Sequence, residues 1–316
     1  MGDKELDFSK KWDVVIVGMG PAAYSAGIYA CRYNMSVLIV GDVPGGAVTD
    51  AHLIENYPGT GKISGLDLAQ KMKDQYLDLN GKLYGATVVK IEKDDSSFEI
   101  TTSMNKKIVA KTVIVAIGTK RRKINVEGED KFVGRGVSYC ATCDAPFFKN
   151  KTVCVVGGGN SAFDAALHLS KFASKVYLIH RRLEFRADPV TVDLIKKQTN
   201  IEFILNSVVT KIEGDSLVKN IKLKNVKTNK ISDLNVDGVF VEIGGVPFVS
   251  LLGNKVDLDE SGFIKVKQDM STNVPGLFAA GDCTNAMNNI KQIVTAVASG
   301  TIATESAYKY VNKNKM

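Results

Sequence analysis

The chain has 316 residues, of which 45% are hydrophobic and 24% are charged, and its formal net charge is +7. This length and composition predict a globular protein large enough for two domains, without a membrane segment, because no apolar run approaches the ~20 residues that a spanning helix needs. The basic excess is scattered through lysine-rich segments such as KNIKLKNVKTNK, residues 219–230, so we expect a solvated surface and no nucleic-acid partner.

The first twelve residues, MGDKELDFSKKW, are charged and polar. A secretory signal needs an apolar core at this place, so the segment predicts a protein of the cytoplasm. Disulfides that only stabilise a fold belong mainly to secreted chains, and we therefore do not expect one here.

The first predicted unit is a strand, a glycine turn, a helix and a second strand in residues 13–42, DVVIVGMGPAAYSAGIYACRYNMSVLIVGD. Gly18, Gly20 and Ala23 stand at the G-x-G-x-x-A positions of a dinucleotide-binding turn. The first glycine makes the tight turn, the second lets backbone amides approach a pyrophosphate, and the small third residue lets the helix pack on the strand.

A pair of cysteines, Cys140 and Cys143, lies in SYCATCDAPFF, residues 138–148. Half of a zinc site, a structural disulfide and a dithiol that exchanges electrons are the competing interpretations. A closed zinc site needs four ligands, and the remaining cysteines, Cys31, Cys154 and Cys283, each stand apart from any other Cys or His in the sequence. The pattern therefore favours redox chemistry and predicts no metal.

A second unit of the same kind follows in residues 152–182, TVCVVGGGNSAFDAALHLSKFASKVYLIHRR, with Gly157, Gly159 and Ala162 at the fingerprint positions. One glycine turn alone is weak evidence for nucleotide binding. Two such turns, each flanked by apolar strands, make a protein that binds two dinucleotides a strong prediction.

The second strands of the two units end in opposite charges. Asp42 lies 24 residues after Gly18, and Arg181 lies 24 residues after Gly157. A carboxylate at this position can accept ribose hydroxyls but repels a 2′-phosphate, whereas guanidinium groups bind one. The segment HRRLEFR, which contributes His180, Arg181, Arg182 and Arg186, therefore predicts NADPH in the second unit.

Two nucleotides in one chain suggest hydride transfer from a nicotinamide to a flavin held in the first unit. The segment DMSTNVPGLFAAGDC, residues 269–283, supports a flavin because it sets Asp282 behind a glycine, where a carboxylate could bind a ribityl or pyrophosphate oxygen.

Together with GGAVTDAHLIENYPG at residues 45–59 and KQIVTAVASG at residues 291–300, these motifs resemble those of the low-molecular-weight thioredoxin reductases of bacteria and archaea. The resemblance extends from about residue 12 to about residue 308. It implies an α/β fold of two Rossmann-like three-layer domains, in which an NADPH domain carrying the cysteines, residues 120–245, is inserted into an FAD domain formed by residues 1–119 and 246–316. We expect the chain to cross from one domain to the other near residues 119–123 and to return near residues 244–246. These two crossings should form a two-stranded hinge.

The glycine motifs and the resemblance together predict the contacts of each cofactor. For FAD they are Gly18, Gly20, Pro21, Ala22, Ala23, Asp42, Gly46, Asn56, Gly118, Gly281, Asp282, Lys291, Gln292 and Ile293. For NADPH they are Gly157, Gly159, Asn160, Ser161, Ala162, His180, Arg181, Arg182 and Arg186.

The resemblance also implies the roles of the redox residues. Cys143 would be the sulfur nearer the flavin, Cys140 would attack the disulfide of the partner, and Asp144 would act as general acid and base. The alternative for Asp144 is a helix N-cap that follows the cysteine turn, and one residue could serve both roles. His52 and His168 are expected to be surface or packing residues, and Cys31 and Cys154 to be packing residues.

The resemblance thus implies an NADPH-dependent thioredoxin-disulfide reductase, a cytoplasmic homodimer that reduces thioredoxin or a thioredoxin-like or glutaredoxin-like protein. The alternatives are a related flavoprotein that feeds a peroxidase system or oxidises dithiols, and a flavin-binding redox sensor. The chain departs from the usual motifs of the family at Ala47, Ala116, Ile117, Asp164, Ala165 and Lys291.

Overall fold

The structure, a computed structural model, describes residues 6–51, 54–287 and 290–313. Two compact units divide the chain: unit 1 comprises Met1–Lys120 with Val246–Met316, and unit 2 comprises Arg121–Gly245. His52 lies outside the described residues. None of the described helices combines the length and hydropathy that a membrane crossing requires.

Unit 1 begins with strand β1 (Lys11–Val17), helix α1 (Pro21–Arg32) and strand β2 (Val37–Gly41). Both strands are buried over most of their length, so their apolar runs are continuous, as in parallel strands covered on both faces. Then come helix α2 (Gly65–Asp78) and the strands β3 (Lys82–Gly85), β4 (Val88–Lys93), β5 (Phe98–Thr102) and β6 (Lys107–Val115).

Unit 2 follows a two-residue strand, β7 (Lys120–Arg121), at the first crossing. Its parallel sheet is built around glycine-containing connections, and a second, antiparallel sheet comes just before the last strand of the parallel one in the chain. The elements are β8 (Val137–Ser138), α3 (Ala141–Asp144), β9 (Thr152–Gly157), α4 (Asn160–Leu169), β10 (Lys175–Ile179), α5 (Pro189–Lys196), β11 (Ile201–Ile204), β12 (Ser207–Gly214), β13 (Val218–Asn225), β14 (Ile231–Asn235) and β15 (Gly238–Glu242).

The second crossing, β16 (Gly245–Val246), pairs with β7 in a two-stranded sheet. The chain then returns to unit 1 with β17 (Leu277–Ala279) and α6 (Ile293–Lys313). Helix α6 packs closely on α1, because a Cβ on Gly300 would lie 2.2 Å from the carbonyl oxygen of Ala22. The last segment of the chain therefore completes the first unit.

The strand orders give each unit its parallel sheet. In unit 1 the order is β3-β2-β1-β6, and β6 then pairs with β17 in parallel at one end and with the antiparallel β5-β4 at the other. In unit 2 the order is β11-β10-β9-β15-β8, and all four pairings are parallel. The predicted α/β class, with two Rossmann-like units and one inserted into the other, is confirmed.

Candidate active site

The first glycine loop connects β1 to α1 at the carboxyl end of the sheet. Gly18 has a φ of +120°, and a Cβ there would lie 2.2 Å from the carbonyl oxygen of Ala116, so glycine is required on both grounds. Beside Gly20, by contrast, the nearest atom to a Cβ would be the Gly45 oxygen at 3.9 Å. The loop is therefore packed on its sheet side and open at the start of α1.

Two later segments close around this loop. Gly46 faces Gly20, since a Cβ on Gly46 would lie 3.1 Å from the Gly20 Cα. Gly281 faces α1, since its Cβ would lie 3.0 Å from the Cβ of Ala22. The amide of Gly281 donates to the Ser299 hydroxyl at 2.9 Å. The structure thus brings together four predicted FAD residues from three separate parts of unit 1.

The acid and the base predicted near the flavin both lie in partly buried positions. Burial raises the pKa of Asp282, and the positive charge of Lys291 opposes that rise. Burial lowers the pKa of Lys291, whose ammonium donates to the Thr284 carbonyl at 2.6 Å and lies 4.3 Å from the Phe263 ring centre. Asp282 and Lys291 thus lie close enough for each charge to act on the other.

Asn56 and Gln292, predicted only from the family motifs, meet in unit 1, where the Asn56 amide donates to the Gln292 side-chain oxygen at 3.1 Å. Asp42 is exposed after β2 and accepts a hydrogen bond from Thr87 at 2.7 Å. The other predicted residues stand at loop and helix starts: Pro21 and Ile293 begin α1 and α6, Ala23 is buried on α1, and Gly118 follows β6 with a φ of +59°.

The second glycine loop repeats the first. A Cβ on Gly157 would lie 2.2 Å from the Glu242 carbonyl oxygen and 2.6 Å from the Ala162 Cβ, whereas a Cβ on Gly159 would meet no atom within 4 Å. Asn160 begins α4, where its side chain and Asp188 exchange hydrogen bonds of 2.7 and 3.1 Å. Ser161 is exposed on the first turn of α4.

The basic segment lies directly beside this loop. The ring of His180 covers Gly158, because a Cβ there would lie 2.2 Å from it, and the Arg186 amide donates to the Gly158 carbonyl at 2.8 Å. Burial lowers the pKa of His180, and the charges of Arg181 and Arg182 lower it further. The imidazole therefore shapes the loop, while the three exposed arginine side chains at positions 181, 182 and 186 supply the positive charge.

Cys140 and Cys143 form a disulfide in unit 2, with 5.3 Å between their Cα atoms. Cys143 is exposed and Cys140 is half-buried. The amide of Cys140 donates to the Ser138 hydroxyl at 3.0 Å, so the backbone before the pair is anchored. Because the sulfurs are bonded to each other, neither is a thiolate ligand for a metal, and the exposed sulfur is open to attack.

Asp144 ends helix α3, immediately after the disulfide. Asp144 stands at the N-cap position of the following 3-10 turn, Ala145–Phe148, as the alternative prediction had it, but its side chain makes no capping hydrogen bond there. Cys140 caps α3. Elsewhere, Cys154 and Cys283 are buried, Cys31 is half-buried, and His168 is buried against Phe172.

The two loops fit dinucleotides on structural grounds. Each has space at its second glycine and at the start of a helix, where backbone amides and the helix dipole favour a pyrophosphate. Several residues that contact the predicted cofactor-binding residues were not predicted from the sequence. Asp188 and Thr87 lie outside the quoted motifs, and their partners lie 28 and 45 residues away. Ser299 lies within KQIVTAVASG but had no predicted role, and its partner lies 18 residues away.

Comparisons with known proteins agree on the family. Residues 12–300 match the model of the pyridine nucleotide-disulphide oxidoreductases. The chain is 39% identical over 308 residues to a thioredoxin reductase of Listeria monocytogenes, covering 97% of this chain and 96% of the relative. It is 36% identical over 311 residues to a subunit of the alkyl hydroperoxide reductase of Staphylococcus epidermidis, but spans only 61% of that protein.

Among solved structures, the thioredoxin reductase of Lactococcus lactis in its FR conformation has a TM-score of 0.93 and 36% identity, covering 96% of this chain and 100% of that one. The prediction from the motifs is therefore confirmed. The chain belongs to the pyridine nucleotide-disulphide oxidoreductase family and, within it, to the low-molecular-weight thioredoxin reductases, which are disulfide reductases that use FAD and NADPH.

Proposed function

We propose that unit 1 holds FAD and unit 2 holds NADPH. The support for unit 1 is the cradle of Gly18, Gly20, Gly46 and Gly281, with Asp282 and Lys291 beside it. The support for unit 2 is the open loop at Gly159 followed by the exposed arginines. Guanidinium groups bind a 2′-phosphate bidentately, whereas the Asp42 carboxylate at the matching position of unit 1 repels one.

The observation that carries the proposed reaction is an exposed disulfide, Cys140–Cys143, on the unit that also holds the second loop. FAD, when bound, supplies the chemistry that converts a hydride from NADPH into two electrons for a disulfide. The Cys140–Cys143 bond takes up those electrons and breaks. The overall balance is NADPH, a proton and a partner disulfide on one side, and NADP⁺ and a partner dithiol on the other.

The two cysteines then act in sequence. The thiolate of Cys140 attacks the partner disulfide and forms a mixed disulfide, while one partner sulfur leaves as a thiolate. Cys143 attacks Cys140, which restores the internal disulfide and releases the second partner sulfur. Asp144, one residue after Cys143, carries the protons to the leaving thiolates as general acid and base.

The partner that we propose is thioredoxin or a thioredoxin-like protein. A peroxidase-linked role is the second candidate, because the Staphylococcus relative is named as a subunit of alkyl hydroperoxide reductase.

We further propose a homodimer of the cytoplasm. The three cysteines outside the redox pair are unbridged, as in a reducing compartment. Light scattering should give twice the chain mass of 34.2 kDa.

The decisive experiment is an anaerobic titration of the purified protein. It should be yellow, NADPH should bleach it, and oxidised bacterial thioredoxin should restore the colour. Protein that neither contains nor takes up FAD would overturn the cofactor assignment. A flavoprotein that NADPH bleaches but that oxidised thioredoxin does not recolour would move the assignment to the peroxidase-linked candidate, which can be tested with a peroxiredoxin.

A further inference from the structure

The segment that leads from the first crossing into unit 2, residues 121–125, is held by two largely buried carboxylates, neither of which is among the predicted catalytic or cofactor-binding residues. One is Glu129, and the other is Glu242 at the end of β15. We call residues 121–125 the entry segment. Each of these carboxylates joins the entry segment to a different part of the proposed catalytic machinery.

Glu129 is only 2% exposed, and its carboxylate accepts three hydrogen bonds. They come from the amide of Ile124 at 3.0 Å, the amide of Asn125 at 2.6 Å and the hydroxyl of Tyr139 at 2.7 Å. A carboxylate this deeply buried requires such donors, because an unpaired one would carry a large desolvation cost. Burial and the Glu129 carboxylate both raise the pKa of Tyr139, which keeps its hydroxyl protonated as a donor.

Tyr139 is the residue before Cys140, so this network ends at the redox pair. On the other side of Tyr139, the Ser138 hydroxyl accepts the amide proton of Cys140 at 3.0 Å. The backbone that leads into the disulfide is therefore fixed at consecutive residues, and Glu129 connects it to the entry segment.

Glu242 makes the corresponding connection to the second glycine loop. Its side chain is 9% exposed and accepts a hydrogen bond from the Arg121 guanidinium at 2.7 Å. Its backbone is the parallel-strand partner of Gly157 and lies so close that a Cβ on this glycine would be 2.2 Å from the Glu242 oxygen. One residue thus contacts the entry segment through its side chain and the loop through its backbone.

We propose that Glu129 and Glu242 are positioning residues, the first fixing the redox pair and the second fixing the second glycine loop to the same entry segment. The proposal rests on the proposed function, which assigns NADPH to the loop and electron exchange to the cysteines. Because the two connections are separate, breaking each should impair a different half of the reaction. A carboxylate needed only for stability would affect both halves alike.

The test measures the two halves separately by rapid mixing. The first half is the bleaching of the oxidised protein by NADPH, and the second is the recolouring of photochemically reduced protein by oxidised bacterial thioredoxin. Misplacing a reacting group by about 1 Å costs up to about a hundredfold in rate. We therefore expect Glu129→Gln and Tyr139→Phe to slow recolouring by about tenfold or more and to leave bleaching within about twofold.

Glu242→Gln and Arg121→Lys should show the opposite pattern, with slower bleaching and unchanged recolouring. Arg121→Lys retains the charge but loses the planar guanidinium fork, and Tyr139→Phe removes a single hydroxyl, so either still tests its connection if the glutamate variant does not fold. Glu127→Gln is the matched control, because its side chain is 74% exposed and pairs with Lys211 on the surface.

Loss of thermal stability with both halves slowed equally, or with neither slowed, would overturn the positioning roles. So would a single pattern shared by all four variants. A parent protein that performs neither half would instead refute the proposed function, so the two failures can be told apart.

Discussion

The two glycine loops, one after β1 and one after β9, can be compared position by position. In both, a Cβ on the first glycine would lie 2.2 Å from a strand carbonyl, of Ala116 for Gly18 and of Glu242 for Gly157. In both, the second glycine caps the helix with an extended backbone. Two sequences that share few other residues thus build nearly the same turn.

The loops differ in what surrounds them. The first is covered by segments that come from later in the chain, including Gly46, Gly281 and helix α6. The second has the basic segment beside it, with His180 covering Gly158. The shared turn therefore accommodates a pyrophosphate, whereas the identity of the nucleotide depends on residues outside the turn.

The largest effect should come from the redox pair, which only unit 2 carries. Cys140→Ser and Cys143→Ser should each reduce thioredoxin turnover to background, because the internal disulfide can no longer form. Bleaching by NADPH should persist in both, since the loop residues are unchanged.

The two variants should differ when mixed with oxidised thioredoxin after reduction. Only Cys143→Ser should accumulate a covalent complex on a non-reducing gel, since its Cys140 can attack and nothing resolves the product. A complex on Cys140→Ser alone would reverse the roles that we assign, and turnover by either variant at the parent rate would exclude the pair from the reaction.

The next largest effect should separate the two loops. Gly18→Ala and Gly157→Ala each place a methyl group against a backbone oxygen, and overpacking of this kind costs about 1–3 kcal/mol. Gly18→Ala should purify with little FAD, measured by flavin absorbance, whereas Gly157→Ala should keep its FAD and need more NADPH for bleaching. Gly85→Ala is the control, because a Cβ there meets no atom within 4 Å. Loss of FAD from Gly157→Ala would contradict the assignment of the loops.

A smaller effect should show what selects the nicotinamide. Replacing both Arg181 and Arg182 with Ala should raise the KM for NADPH more than about tenfold, because each charge-assisted hydrogen bond is worth about 1.5–3 kcal/mol. The KM for NADH should change little, since NADH has no 2′-phosphate. Arg32→Ala, an exposed change in unit 1, is the control. A parent enzyme that uses NADPH and NADH equally well would contradict the assignment of Arg181 and Arg182 to the 2′-phosphate.

The smallest effect concerns a charge at the start of the first sheet. Burial alone would raise the pKa of Asp13, but hydrogen bonds from Lys111 and Ser36 outweigh it and hold the pKa below its ordinary value. The stabilisation is therefore complete above the ordinary pKa and is lost as the pH falls through the lowered one.

Asp13→Asn should accordingly make stability less sensitive to acid, by about 1 kcal/mol as the pH falls from about 5 to about 2 in urea unfolding. Asp95→Asn, at an exposed turn, should behave like the parent. An identical acid dependence of the parent and Asp13→Asn would show that the Lys111 contact adds nothing to stability.

Sequence alone predicted the α/β fold, the two loops and the disulfide pair, because each rests on short-range patterns with a direct physical cause. Glycine spacing specifies a turn within a few residues. The opposite charges at the two strand ends are found by counting 24 residues from the first glycine of each turn. The assignment of individual cofactor contacts remains a prediction. Glu129 and Glu242 gave no signal, since Glu242 meets Arg121 across 121 residues and only the folded chain brings them together. The antiparallel sheet β12-β13-β14 was not predicted either, because its lysine-rich segment indicated only a solvated surface.

The return of the chain to unit 1 has a consequence for synthesis. A nascent chain that has reached residue 245 contains every strand of unit 2, which is continuous in sequence, but lacks β17 and α6. In the folded protein, the Thr304 hydroxyl of α6 donates to the Ala26 carbonyl of α1 at 3.0 Å. Until α6 leaves the ribosome, this face of α1 lacks the helix against which it packs. Domains fold as units during translation, so the inserted domain can fold first, while the incomplete first unit still exposes the apolar surface that β17 and α6 later cover.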